Sequence, residues 1–139
     1  MPIITESLAE GKSVRFYPHG TSMLPMLRQD IDSVVLSPIN GKLKKFDVPL
    51  YQRENGKYIL HRIIDVGSTY TCMGDNQFRP ETGIRHSQMI AVITSFTRKD
   101  REIAVTALSY RIYCRLWHYT RPVRHFFYRL KGWLRRHIL

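Results

Sequence analysis

The sequence predicts a mainly β fold, a barrel-like or coiled β domain with a C-terminal basic helical tail. Three observations carry this. Short apolar or alternating runs recur between turn residues, as in barrel-like or coiled β domains. Asn55-Gly56 sits between two such runs and marks a hairpin. Charge is unevenly spread: residues 1–102 hold 14 basic and 11 acidic side chains, whereas residues 103–139 hold eight basic ones and no acid. That asymmetry divides the chain into a body, 1–102, and a basic, aromatic, amphipathic tail, 103–139.

In chain order, Thr5 to Lys12 reads as a short helix capped by Thr5 and stopped by Gly11. Ser13 to Tyr17 alternates as a strand, and Asp32 to Ser37 is a buried strand ended by Pro38. Val48 to Arg53 and Tyr58 to Ile64 flank the hairpin turn. With a two-residue type I′ turn at Asn-Gly, Arg53 pairs with Tyr58, Tyr51 with Leu60 and Leu50 with His61. Tyr70 to Met73 forms a further strand. Met89 to Arg98, a Lys99-Asp100 turn and Arg101 to Val105 form a last hairpin.

Pro122 divides the tail into two helices. Val105, Leu108, Ile112, Leu116 and Tyr119 make the apolar stripe of the first. Val123, Phe126, Phe127, Leu130, Trp133, Leu134 and Ile138 make that of the second, with Arg and Lys mainly opposite. Such a tail either docks on the body or lies on an anionic membrane surface. Nucleic acid is disfavoured, because no recognition motif accompanies the charge.

At 139 residues the chain can bury a core without staples, and its 43% hydrophobic and 24% charged content is that of a globular protein. No apolar run reaches the ~18 residues of a spanning helix, and the N-terminus lacks the basic-then-apolar pattern of a secretory signal. Cys72 and Cys114 are read as reduced thiols, and the six histidines form no metal-ligand spacing. A cytoplasmic chain is expected, peripheral on the cytoplasmic membrane face if the tail binds lipid.

Three short segments carry candidate chemistry. Gly20-Thr21-Ser22-Met23-Leu24-Pro25 puts a serine hydroxyl on a constrained turn. Ile59-Leu60-His61-Arg62-Ile63-Ile64 places a histidine in an apolar strand, where imidazole can serve as a general base. Gly74-Asp75-Asn76-Gln77 supplies a carboxylate able to orient that histidine. Taken singly, each is ordinary turn or strand chemistry.

Together, in the order Ser, His, Asp, they resemble the type I signal peptidase and LexA-like superfamily of serine peptidases. The resemblance runs from Val14 to Glu102 and rests on the Ser-Met-x-Pro box of Gly20 to Leu27 and on Gly74-Asp75-Asn76. Supporting features are the Asp30 to Val35 strand and Asp47-Val48-Pro49-Leu50-Tyr51. It implies a coiled antiparallel β catalytic domain that cleaves a peptide or leader-peptide precursor without a cofactor. His61 stands 39 residues after Ser22, where many members have a lysine, so the chain resembles the histidine-using endoplasmic-reticulum and archaeal branch. Lys57 is the nearby rival base.

The resemblance implies Ser22 as nucleophile, His61 as base and Asp75 as the orienting acid, with Glu81 as the alternative acid. The Ser22 N–H and the Thr21 side chain would meet the oxyanion, because Gly20 replaces a common hydroxyl residue. Asp30-Ile31-Asp32 replaces the usual Gly-Asp. Signal peptidases carry an N-terminal anchor that is not evident here, which points away from the general secretory enzyme. The alternatives are a self-cleaving regulator of LexA type, which would need a DNA-binding domain, and a catalytically silent peptide-binding module.

Overall fold

A computed structural model describes residues 2–138. The fold is mainly β, with antiparallel sheets followed by C-terminal helices. Helix α1, Pro2–Ala9, begins earlier than Thr5 and stops where Gly11, at φ +78°, takes the left-handed conformation. The proposed capping side chain of Thr5 lies outside the described residues.

The larger sheet contains β1 (Val14–Phe16), β2 (Val34–Ser37), β3 (Pro49–Gln52), β4 (Tyr58–Leu60), β8 (Met89–Arg98) and β9 (Arg101–Ala104). β8 is its spine. β2 occupies one edge of β8, while β3 and β9 share the other, β3 near Met89 and β9 near Arg98. The smaller sheet is β5 (Arg62–Val66), β6 (Tyr70–Met73) and β7 (Glu81–Ile84). Strand alternation along β3 separates two cores: Leu50 packs with Val34, Leu36 and Phe96, and Tyr51 with Ile63, Tyr70 and Cys72.

The β3–β4 hairpin differs from the sequence reading by one residue. Its pairs are Leu50–Leu60, Tyr51–Ile59 and Gln52–Tyr58. The loop lies between Arg53 and Lys57, closed by Gly56 N–H donating to the Arg53 carbonyl at 2.9 Å and Arg53 N–H to the Lys57 carbonyl at 2.8 Å. Only Gly56 takes positive φ in this loop, at +88°, so the connection is the three-residue loop Glu54–Gly56 with a glycine bulge and not a type I′ pair. Glu54 pairs with Arg85 at 3.4 Å and not with Lys57.

The predicted Tyr58–Ile64 strand is interrupted. It leaves the larger sheet after Leu60 and enters the smaller one at Arg62, so His61 stands between two strands.

The boundary at 102/103 falls inside β9, whose Ile103 and Ala104 pair with Phe96 and Ser95. Nor is the first tail helix separate from the body. α2, Leu108–Tyr119, buries Tyr110 and Cys114 in the larger core. Its expected stripe is the exposed side, Leu108 being 70% and Leu116 61% exposed. α3 follows as Arg121–His137, with Pro122 in its first turn, where a missing N–H is harmless.

Candidate functional site

The two sequence boxes meet in space. Asn76 N–H donates to the Ser22 carbonyl at 2.8 Å, and Asn76 Nδ2 donates to the Thr21 carbonyl at 3.2 Å. Gly74 makes that approach possible, because a Cβ there would come within 2.5 Å of the Ser22 carbonyl oxygen. Gly20, at φ +97°, starts the serine loop, and Leu24 N–H closes a turn onto Thr21 at 3.1 Å. The far end of the loop is fastened by buried Asp32, which accepts from Arg28 Nε at 3.0 Å and Nη2 at 2.9 Å. The departure Asp30-Ile31-Asp32 thus contributes an anchor. Ser22 is half-buried and its N–H makes no hydrogen bond with the described residues, which leaves it available to an oxyanion; the Thr21 side chain is exposed.

His61 is 6% exposed, and its Nδ1 is buried without a partner among the described residues. Burial pushes the imidazole pKa down to about 4, against a partial upward pull from Glu81 and a smaller one from Asp75. The ring is therefore neutral at neutral pH, the form a general base requires. His61 borders two hollows. One, of about 130 Å³, is lined by Ser22 and Met23 and by Tyr58 to His61 among others. The second, of about 840 Å³, is a groove that His61 shares with Arg53, Glu81, Phe78, Trp117, Arg124 and Tyr128. Ser22 and His61 are brought to one cavity without a hydrogen bond between them. Lys57 is exposed and lines neither hollow.

Asp75, expected to orient His61, is hydrogen-bonded to Arg62 and Tyr113 and not to the histidine. It is fully buried, and Arg62 Nε and Nη2 donate to its carboxylate at 2.8 and 2.9 Å. Tyr113 O–H donates at 2.7 Å, and Trp117 Nε1 donates to the Asp75 carbonyl at 2.8 Å. With those donors in place the carboxylate makes no hydrogen bond to His61. Arg62, 1% exposed, also reaches the Phe46 carbonyl and Tyr110 Oη at 2.9 Å and Cys114 Sγ at 3.0 Å. The pair holds β5, the turn after β6, the Phe46 loop and α2 together.

Glu81 is the carboxylate that lines the groove. It starts β7, pairs with Cys72 across β6, and accepts from Tyr51 O–H at 2.7 Å and from Arg53 Nε at 2.9 Å. Burial alone would raise its pKa, but the donors on Arg53 and Tyr51 outweigh that and hold the carboxyl below its ordinary range.

Sequence reasoning passed over Arg62, Tyr113 and Trp117. Arg62 carried a usable signal, since a guanidinium inside an apolar run must find an acid when buried. Among the described residues no group of three or more His, Cys, Asp or Glu side chains is placed to hold a metal ion. Comparison with family models, with curated proteins and with solved structures finds no match to the chain.

Proposed function

We propose that the chain is a serine endopeptidase of the signal-peptidase and LexA-like kind, acting on a peptide or leader-peptide precursor. The observation that carries this is the position of His61: a buried, neutral imidazole with a free Nδ1, shared by the Ser22 cavity and the Glu81 groove. Ser22 Oγ attacks the scissile carbonyl while His61 takes its proton and passes it to the leaving amine. Water then cleaves the acyl-serine by the same proton route in reverse. The Ser22 N–H meets the oxyanion. Glu81 is the acid that steadies the imidazolium, and Asp75 is a positioning residue that acts through Arg62.

The substrate is an extended peptide. β4 is an edge strand, and Tyr58 to Leu60 line the Ser22 cavity, so main-chain pairing along β4 leads a peptide to the serine. Labelling by a fluorophosphonate probe, together with mass spectrometry of a digested peptide library, tests the proposal. Both signals should be present in the full chain and absent from Ser22→Ala. A folded chain that neither labels nor cleaves would be a silent peptide-binding module.

A further inference from the structure

The first half of α3, residues 121–128, presents its polar side to the body and its apolar side to solvent. Arg121 is 8% exposed, the His125 ring stacks on Phe78 at 4.5 Å, and the Arg124 guanidinium lies over Trp117 at 3.8 Å. At 3.6 residues per turn, these positions share one side, and Val123, Phe126, Phe127 and Leu130 occupy the other. Phe126 is 62% and Phe127 60% exposed.

α2 does the same on its outer side with Leu108, Ile112, Leu116 and Tyr119. Along the chain the series continues through Val123, Phe126, Leu130 and Leu134 in steps of three or four residues. Of the 15 large apolar side chains exposed among the described residues, 12 lie between Leu108 and Ile138, and all of these but Tyr128 fall on the two stripes, which concentrates them into a patch and not scattered surface. In water this is a poor arrangement. It buries Arg121 Nε and Nη1 and Arg124 Nε without hydrogen-bond partners while leaving the phenyl rings wet.

We propose that this outer face docks on an anionic bilayer, with α2 and α3 lying in the membrane surface. Arg111 and Arg115 flank the α2 stripe, and Arg129, Lys131, Arg135 and Arg136 the α3 stripe. No acid occurs from residue 103 to 139 to oppose an anionic headgroup. A second copy would bring eight cations against eight, and nucleic acid would pair the cations but leave the rings in water. No helix among the described residues is long and apolar enough to cross a membrane, so the mode is surface attachment. Arg124 and Tyr128, on the inner side of α3, line the His61 groove, which places that groove about one helix diameter, ~10–12 Å, above the lipid.

Cosedimentation of the full chain with vesicles tests this without reference to peptidase activity, and Ser22→Ala must behave as the parent does. Binding is expected to phosphatidylglycerol-containing vesicles over pure phosphatidylcholine, with a blue shift of tryptophan emission and a fraction that survives high salt. Changing Arg129, Lys131, Arg135 and Arg136 to Gln should weaken partitioning by about fivefold per cation. Phe126→Ser with Phe127→Ser should remove the salt-resistant fraction while leaving thermal unfolding unchanged, because both side chains are exposed. The proposal fails if the chain stays in the supernatant with phosphatidylglycerol at low salt, or if the phenylalanine pair is without effect. It also fails if salt abolishes all binding, which indicates phosphate contact alone, or if the chain dimerises through this face in place of binding vesicles.

Discussion

Gly74 lies so close to the Ser22 carbonyl that a methyl group there would come within 2.5 Å of the oxygen. The Gln77 side chain, next at 3.0 Å, can give way, but the closest atom is main chain, so a side chain at 74 displaces the serine loop itself. Gly74→Ala should therefore lower probe labelling of Ser22 by one to two orders of magnitude, the scale at which small misplacements act. The overpacking should cost about 1–3 kcal/mol in urea unfolding. Unchanged labelling would mean that the Gly74–Ser22 contact does not set the nucleophile.

Asp75 and Glu81 should separate when mutated. Asp75→Asn leaves Arg62 buried without its anion, and breaking such a pair costs about 3–5 kcal/mol, read as a lower urea midpoint. Replacing both members, Arg62→Met with Asp75→Leu, should recover part of that loss, because the buried charge goes too.

Glu81→Gln is expected to change stability by about 1 kcal/mol or less, since Arg53 is a third exposed, but to lower kcat by about 10²–10⁴-fold. The reverse pattern, activity lost through Asp75 in a stable fold and spared in Glu81→Gln, would return the orienting role to Asp75.

The pH dependence follows from His61, whose pKa burial lowers from 6.5 to about 4. As pH falls below about 6.5, the unfolded chain binds this proton before the folded one does. Stability therefore declines between about pH 6.5 and 4 and is fully kept above that window, by an amount on the order of 3 kcal/mol. Urea unfolding at neutral and mildly acidic pH should show the loss, and His61→Ala should show less of it. Peptide cleavage by the free enzyme should likewise persist into mild acid, with kcat/KM falling near pH 4. The ordinary histidine range of about 6–7, which the sequence alone implies, applies to an imidazole in water. A basic limb well above pH 8 would implicate Lys57.

The elements that could be read from sequence are those that local chemistry decides. Lys99 and Asp100 both take positive φ and join β8 to β9 where a two-residue turn was expected, and β1, β2 and β6 lie within their predicted runs. Asn-Gly misled because its glycine fits either a two-residue turn or a glycine bulge, and the longer loop shifts register by one. β7 gave no signal: Pro80 precedes it and Gly83 lies within it, and its pairing with Tyr70 and Cys72 is a tertiary matter. Periodicity found the apolar stripes of both tail helices but not their direction. α2 packs inward through Tyr110 and Cys114, with the donors of Tyr113 and Trp117 turned to Asp75. At the site, Ser22 and His61, the pair to which the resemblance points, line one cavity. The partner of Asp75 depended on which cation the fold encloses with it, and that was Arg62.

The two cysteines are distributed one to each core, Cys114 with the larger sheet and Cys72 with the smaller, and both are free thiols. Cys114 is 2% and Cys72 0% exposed, and burial pushes the Cys72 thiol up to about 12, so neither offers a thiolate to an alkylating reagent in the closed fold. The wild-type chain thus carries two internal reporters that need no added label. Alkylation of Cys114 times the release of α2 from the body, and alkylation of Cys72 times the opening of the three-stranded sheet that holds Glu81.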